Sequence, residues 1–94
     1  MAAVKGILTV DDPNGMHARP AGQLAAALRS CGAATKLTFG DRYADGGQLF
    51  SVMALGAKRG DRIGLMLEGE RSTEAARKIG AFCENNPAFS VSFL

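Results

Sequence analysis

Apolar and polar residues alternate over positions 4–10, with Val4, Leu8 and Val10 on one side. That two-residue period predicts a strand with one buried face. Positions 11–15 break it with a proline and an Asn-Gly pair, which is turn chemistry. The period then becomes helical: Ala21, Leu24, Ala25 and Leu28 fall on one face. Pro20 is tolerated there, because amides in the first turn of a helix have no intrahelical acceptor, and Gly32 marks the stop. A second strand is predicted over 34–39, with Thr35 and Leu37 inward, and Gly40-Asp41 turns it into a third over 42–45. Gly46-Gly47 ends that hairpin. Positions 48–55 have room for two helical turns, closed by Gly56. Gly60-Asp61 precedes a fourth strand in which Ile63, Leu65 and Leu67 alternate.

Ser72 is the expected N-cap of a last helix, with Glu74 in the first turn, where the helix dipole favours a carboxylate. Ala75, Ile79, Phe82 and Cys83 make its buried face, and Asn85-Asn86-Pro87 ends it. The order β-α-β-β-α-β-α predicts a two-layer α+β domain over 1–87. In the remaining segment, 88–94, Phe89, Val91 and Phe93 alternate. An edge strand, a self-association segment and a connection to a further domain all stay open for it.

Composition narrows the function. The chain has 94 residues, enough for one core, with 11 basic and 9 acidic residues and a formal charge of +2. That balance, without a basic stripe interleaved with aromatics, argues against nucleic acid. No apolar run approaches a bilayer span, so no membrane insertion is expected. The first ten residues alternate and carry one lysine, unlike a signal peptide, so a cytoplasmic location is expected; the expected state is a monomer. Cys31 and Cys83 lie far apart without metal-type spacing, and are expected to be buried thiols rather than a disulfide. One histidine and two distant cysteines are too few ligands for a metal, and no cofactor is implied.

The chemistry concentrates in one place. Asn14-Gly15-Met16-His17-Ala18-Arg19-Pro20 contains the sole histidine, at the mouth of the first helix, with an arginine two residues on. Imidazole can act as a nucleophile near neutral pH. A helix N-terminus with a guanidinium beside it makes a pocket for an anion. No serine, cysteine or carboxylate in the motif accompanies His17 as nucleophile or orienting partner, which disfavours a hydrolase. Asp11 and Asp12 read as turn residues.

The heptad Gly15-Met16-His17-Ala18-Arg19-Pro20-Ala21 resembles the active-site signature of HPr, the histidine-containing phosphocarrier family of the bacterial sugar phosphotransferase system. Leu49-Phe50-Ser51-Val52-Met53-Ala54-Leu55-Gly56 resembles the family's short second helix. Gly60-Asp61 with the Ile63/Leu65/Leu67 strand and Glu68-Gly69-Glu70 resembles its last strand and turn. The resemblance implies an open-faced sandwich: a four-stranded antiparallel sheet with three helices on one face. It also implies that His17 takes a phosphoryl group on Nδ1 from Enzyme I and passes it to a histidine of an enzyme II A-type component. Ala18 and Arg19 would bind the phosphoryl oxygens, with Arg19 offsetting their charge. Met16, Pro20, Leu49, Phe50 and Met53 would form a docking patch, rimmed by Arg19, Arg29, Lys58 and Arg59. Two alternatives remain: an HPr-like docking or regulatory module, and an HPr domain of a multidomain phosphotransfer protein. One departure stands out. Many family members carry a regulatory serine where this chain has Gln48, which cannot be phosphorylated, and Ser51 reads as an ordinary surface serine.

Overall fold

The computed structural model describes residues 2–94; Met1, the first position of the expected 1–87 domain, lies outside them. The elements run β1 (Ala3–Val10), α1 (Ala18–Arg29), β2 (Ala34–Phe39), β3 (Arg42–Asp45), α2 (Leu49–Ala54), β4 (Arg62–Glu68), α3 (Ser72–Glu84) and β5 (Phe89–Phe93). The strands form one sheet in the order β3-β2-β4-β1-β5, antiparallel at every pairing.

Register explains how one face becomes the core. Leu8 lies opposite Ile63 on one side and Val91 on the other, while Leu37 lies opposite Leu65. Side chains alternate along each strand, so this pairing sends Leu8, Val10, Leu37, Ile63, Leu65 and Leu67 to the same face. There they meet Leu24 and Leu28 of α1, Val52 of α2 and Ile79 of α3, all buried. Each such side chain contributes about 1.5–3 kcal/mol by leaving water. Tyr43 projects from the other face, 73% exposed, with the Lys36 ammonium 5.3 Å from its ring centre. Helices and strands thus make two layers, with the helices on one side.

Two expectations need correction. The sheet has five strands rather than four, because 88–94 supplies β5 along the free edge of β1. Phe89 is buried at 2% exposure and its ring lies 6.1 Å from that of Phe82. Phe93 lies across Gly6, where an added Cβ would stand 2.8 Å from the Phe93 ring. An extra strand is therefore packed as core at one end and accommodated by a glycine at the other. Ser72, in turn, is not the N-cap of α3 but its first residue; Arg71 stands at the cap position without a side-chain cap bond. The chain already turns at Gly69, whose carbonyl accepts the Ser72 amide at 3.1 Å, so the serine is wound in and buried.

Among the described residues no helix is long and apolar enough to cross a membrane. Cys31 and Cys83 are both buried and free. Burial, reinforced by the negative charge of Asp11, pushes the Cys83 thiol from 9.0 up to about 11. The unfolded chain therefore loses this proton first as pH rises, and the stability it confers is present below pH 9 and declines between 9 and about 11. Comparing the pH dependence of unfolding in wild type and Cys83→Ala isolates that decline; parallel curves would contradict it. Phe89→Ala should cost about 3 kcal/mol in urea unfolding, whereas a change below about 0.5 kcal/mol would mean that β5 adds little to the fold.

Candidate functional site

The loop between β1 and α1 is held from two sides and by bonds of its own. The amides of Asp11 and Asp12 donate to the Ala88 carbonyl just before β5, at 2.8 and 3.2 Å. The amide of Met16 donates to the Ala57 carbonyl, between α2 and β4, at 3.0 Å. Within the loop, the Asn14 amide donates to Asp12 Oδ1 at 2.8 Å, and the Gly15 amide to the Asp12 carbonyl at 2.9 Å. Gly15 adopts a φ of +72°, and a Cβ there would lie 2.9 Å from the Ala57 carbonyl oxygen. Both the left-handed backbone and the close approach therefore require glycine.

This turn delivers His17 to the N-cap of α1. Its backbone is extended (φ −84°, ψ 179°), and its carbonyl accepts the Ala21 amide at 3.0 Å. Its side chain makes no cap bond. It faces Asp12 instead, with Nε2 3.2 Å from Oδ1, and stays about one-third exposed. The next two amides, of Ala18 and Arg19, precede any intrahelical acceptor, and Pro20 has no amide to contribute. Ala18 and Arg19 are exposed, and among the described residues the Arg19 guanidinium has no ion-pair or hydrogen-bond partner. His17, Arg19 and Asp12 line an open hollow of about 310 Å³ together with Gln23, Asn86, Pro87 and Ala88. Asn86 is fixed there by its side-chain amide, which donates to Gln23 Oε1 at 2.9 Å. No group of three His, Cys, Asp or Glu side chains able to hold a metal occurs among the described residues.

The arrangement offers a nucleophilic ring, two free amides and one unpaired cation, and residues 4–85 match the family model described as "PTS HPr component phosphorylation site". The chain belongs to the HPr family. It is 37% identical over 67 residues to the phosphocarrier protein HPr of Lysinibacillus sphaericus, covering 71% of this chain and 76% of that one. It is also 32% identical over 77 residues to the phosphoryl donor subunit DhaM of a PEP-dependent dihydroxyacetone kinase from Providencia stuartii. That match covers 82% of this chain and 16% of the relative. A multiphosphoryl transfer protein of Xanthomonas campestris is 30% identical, with 82% of this chain and 9% of the relative covered. The fold is that of solved HPr proteins. The one from Bacillus anthracis superposes with a TM-score of 0.76 at 23% identity, covering 87% of this chain and 98% of that one.

The patch expected on HPr grounds divides in two. Phe50 is 81% exposed, and Leu49 and Met53 are half-buried on α2, which packs beside α1. Met16 and Pro20, by contrast, are buried and present almost no surface. The Met16 amide is anchored on Ala57, and Pro20 occupies the inner side of the first turn of α1. Of the basic rim, Arg29 is committed to the Gly47 carbonyl at 2.9 Å, while Lys58 and Arg59 are exposed. Gln48 is the N-cap of α2 without a side-chain cap bond, and Ser51 is exposed.

Asp12 is the residue that sequence reasoning missed. An aspartate before Pro-Asn-Gly is at home in a turn, and it does make that turn. The same oxygen also reaches the histidine. Gly15→Ala should destabilise the fold by roughly 1–3 kcal/mol and displace His17, read as a lower urea midpoint with altered His17 resonances. A midpoint within error of wild type would contradict the fit of Gly15 against Ala57.

Proposed function

We propose that this chain is a phosphocarrier that takes a phosphoryl group on His17 Nδ1 from the phosphohistidine of Enzyme I and passes it to a histidine on an enzyme II A-type component. The observation that carries the reading is the placement of His17 at the N-cap of α1, beside two amides with no intrahelical acceptor and the unpaired Arg19. Phosphoryl transfer asks mainly for positioning and for charge stabilisation around the moving group. The amides of Ala18 and Arg19 donate to its oxygens, and the Arg19 guanidinium offsets their charge. Each exposed element contributes modestly, about 0.3–1 kcal/mol for the helix terminus. Modest terms suit a carrier, which must release its cargo as readily as it accepts it.

Phe50, with Leu49 and Met53 at its flanks, is the apolar centre of the partner surface in this reading, and Arg19, Lys58 and Arg59 provide charge for steering acidic partners. A cytoplasmic location and action as a monomer follow from the same proposal. The longer relatives point to a second setting: the same carrier chemistry operating as one module of a larger phosphotransfer protein.

Incubation with phosphoenolpyruvate and Enzyme I should add one acid-labile phosphoryl group to the wild type and none to a folded His17→Ala, read by intact mass. Arg19→Ala should slow uptake by about tenfold, the value of one charge-assisted contact, with little change in thermal midpoint. Phosphorylation persisting in His17→Ala would contradict the assignment.

A further inference from the structure

Asp12 stands outside the signature heptad, yet its carboxylate is the sole hydrogen-bond partner of the His17 ring among the described residues, with Oδ1 3.2 Å from Nε2. A carboxylate only accepts, so this contact calls for a proton on Nε2. In a neutral imidazole, the nitrogen that does not carry the proton holds the free lone pair. The contact thus selects the tautomer in which Nδ1 is the nucleophile. We infer that Asp12 is a positioning residue for the transfer: it holds His17 in the Nε2–H tautomer and steadies the charge that the ring acquires when Nδ1 is phosphorylated. This deepens the phosphocarrier reading and rests on it.

The step balances without a proton transfer. The Nδ1 lone pair forms the bond to phosphorus while the bond from phosphorus to the donor protein's histidine nitrogen breaks, and that nitrogen keeps the electron pair. The His17 ring gains positive charge that is shared with Nε2–H, the group that faces Asp12. On discharge the flow reverses and the ring returns to its neutral Nε2–H form. Asp12 serves both directions because it never gives up or takes a proton.

The carboxylate is not a loose surface group. It is about one-fifth exposed, and its Oδ1 also accepts the Asn14 amide at 2.8 Å. The backbone of Asp11 and Asp12 is tied to the Ala88 carbonyl, immediately before β5. The fifth strand therefore reaches the chemistry: it fixes the backbone that aims Asp12, and Asp12 aims the ring. Arg19, the cation lining the same hollow, makes no ion pair or hydrogen bond with Asp12 and remains available to the phosphoryl group.

The test pairs ring tautomers with phosphoryl uptake. In ¹⁵N-labelled wild type with a neutral ring, long-range ¹H–¹⁵N spectra should show Nε2 protonated and Nδ1 with the shift of an unprotonated ring nitrogen. In Asp12→Ala both shifts should move toward the averaged values of a free imidazole. Uptake from phosphoramidate, a small donor that needs no partner protein, should fall roughly tenfold. Asp12→Asn, whose amide oxygen can still accept from both Nε2 and Asn14, should recover part of the rate and keep the fold. A proton on Nδ1 in the wild type would overturn the proposal, as would Asp12→Ala leaving either the ring shifts or the uptake rate unchanged. If Enzyme I fails to charge a wild type that phosphoramidate does charge, the carrier assignment is in question while the role of Asp12 stands.

Discussion

The His17 site depends on one close contact, the left-handed turn at Gly15 lying directly against the Ala57 carbonyl. A chain leaving the end of β1 must reverse and start α1 within a few residues, and the turn at Gly15 lies against the α2–β4 connection. With Gly15 seated there, Met16 is hydrogen-bonded to Ala57 and turned into the core, and His17 is the next residue to reach solvent. The apolar packing of α1 then sets where the free amides of its first turn point. Chemistry and core are thus coupled through a turn that tolerates almost no added volume.

The second constraint comes from the far end of the described chain. β5 completes one edge of the sheet, and the Ala88 carbonyl at its start receives both aspartate amides of the site loop. Asn86 reaches across to Gln23 on α1 and walls the hollow beside His17. A segment whose pattern left its role open is therefore structural support for the loop that carries His17. Its contribution arises from backbone bonds, which no side-chain pattern announces.

Much of the fold was legible because the apolar periods are clean. β2 and β3 begin and end where the hairpin chemistry of Gly40-Asp41 and Gly46-Gly47 places them, and the inward alternation of Ile63, Leu65 and Leu67 survives intact. The fifth strand was an open alternative, since Phe89, Val91 and Phe93 alternate equally well in a strand at an edge or between chains. Ser72 misled because a serine before an apolar run is the usual cap, while the Gly69 turn brings it into the helix. At the site, His17, Ala18 and Arg19 were legible as a unit because helix start, imidazole and guanidinium are contiguous. Met16 and Pro20 were not: the family resemblance put them in a docking patch, but Met16 is drawn inward by its bond to Ala57 and Pro20 falls on the inward stripe of α1 with Ala21 and Leu24. Asp12 was hidden by its aptness for a turn, which masks a second role for the same oxygen.

The proposed phosphoryl acceptor is Nδ1 of His17, presented by this turn, and no other atom. The most direct measurement is ¹H–¹⁵N and ³¹P NMR of the phosphorylated, ¹⁵N-labelled protein, which identifies the nitrogen bonded to phosphorus. The account predicts a single phosphoryl group on His17 Nδ1, with the proton kept on Nε2. A phosphoryl group on Nε2, or on any other residue, would contradict it.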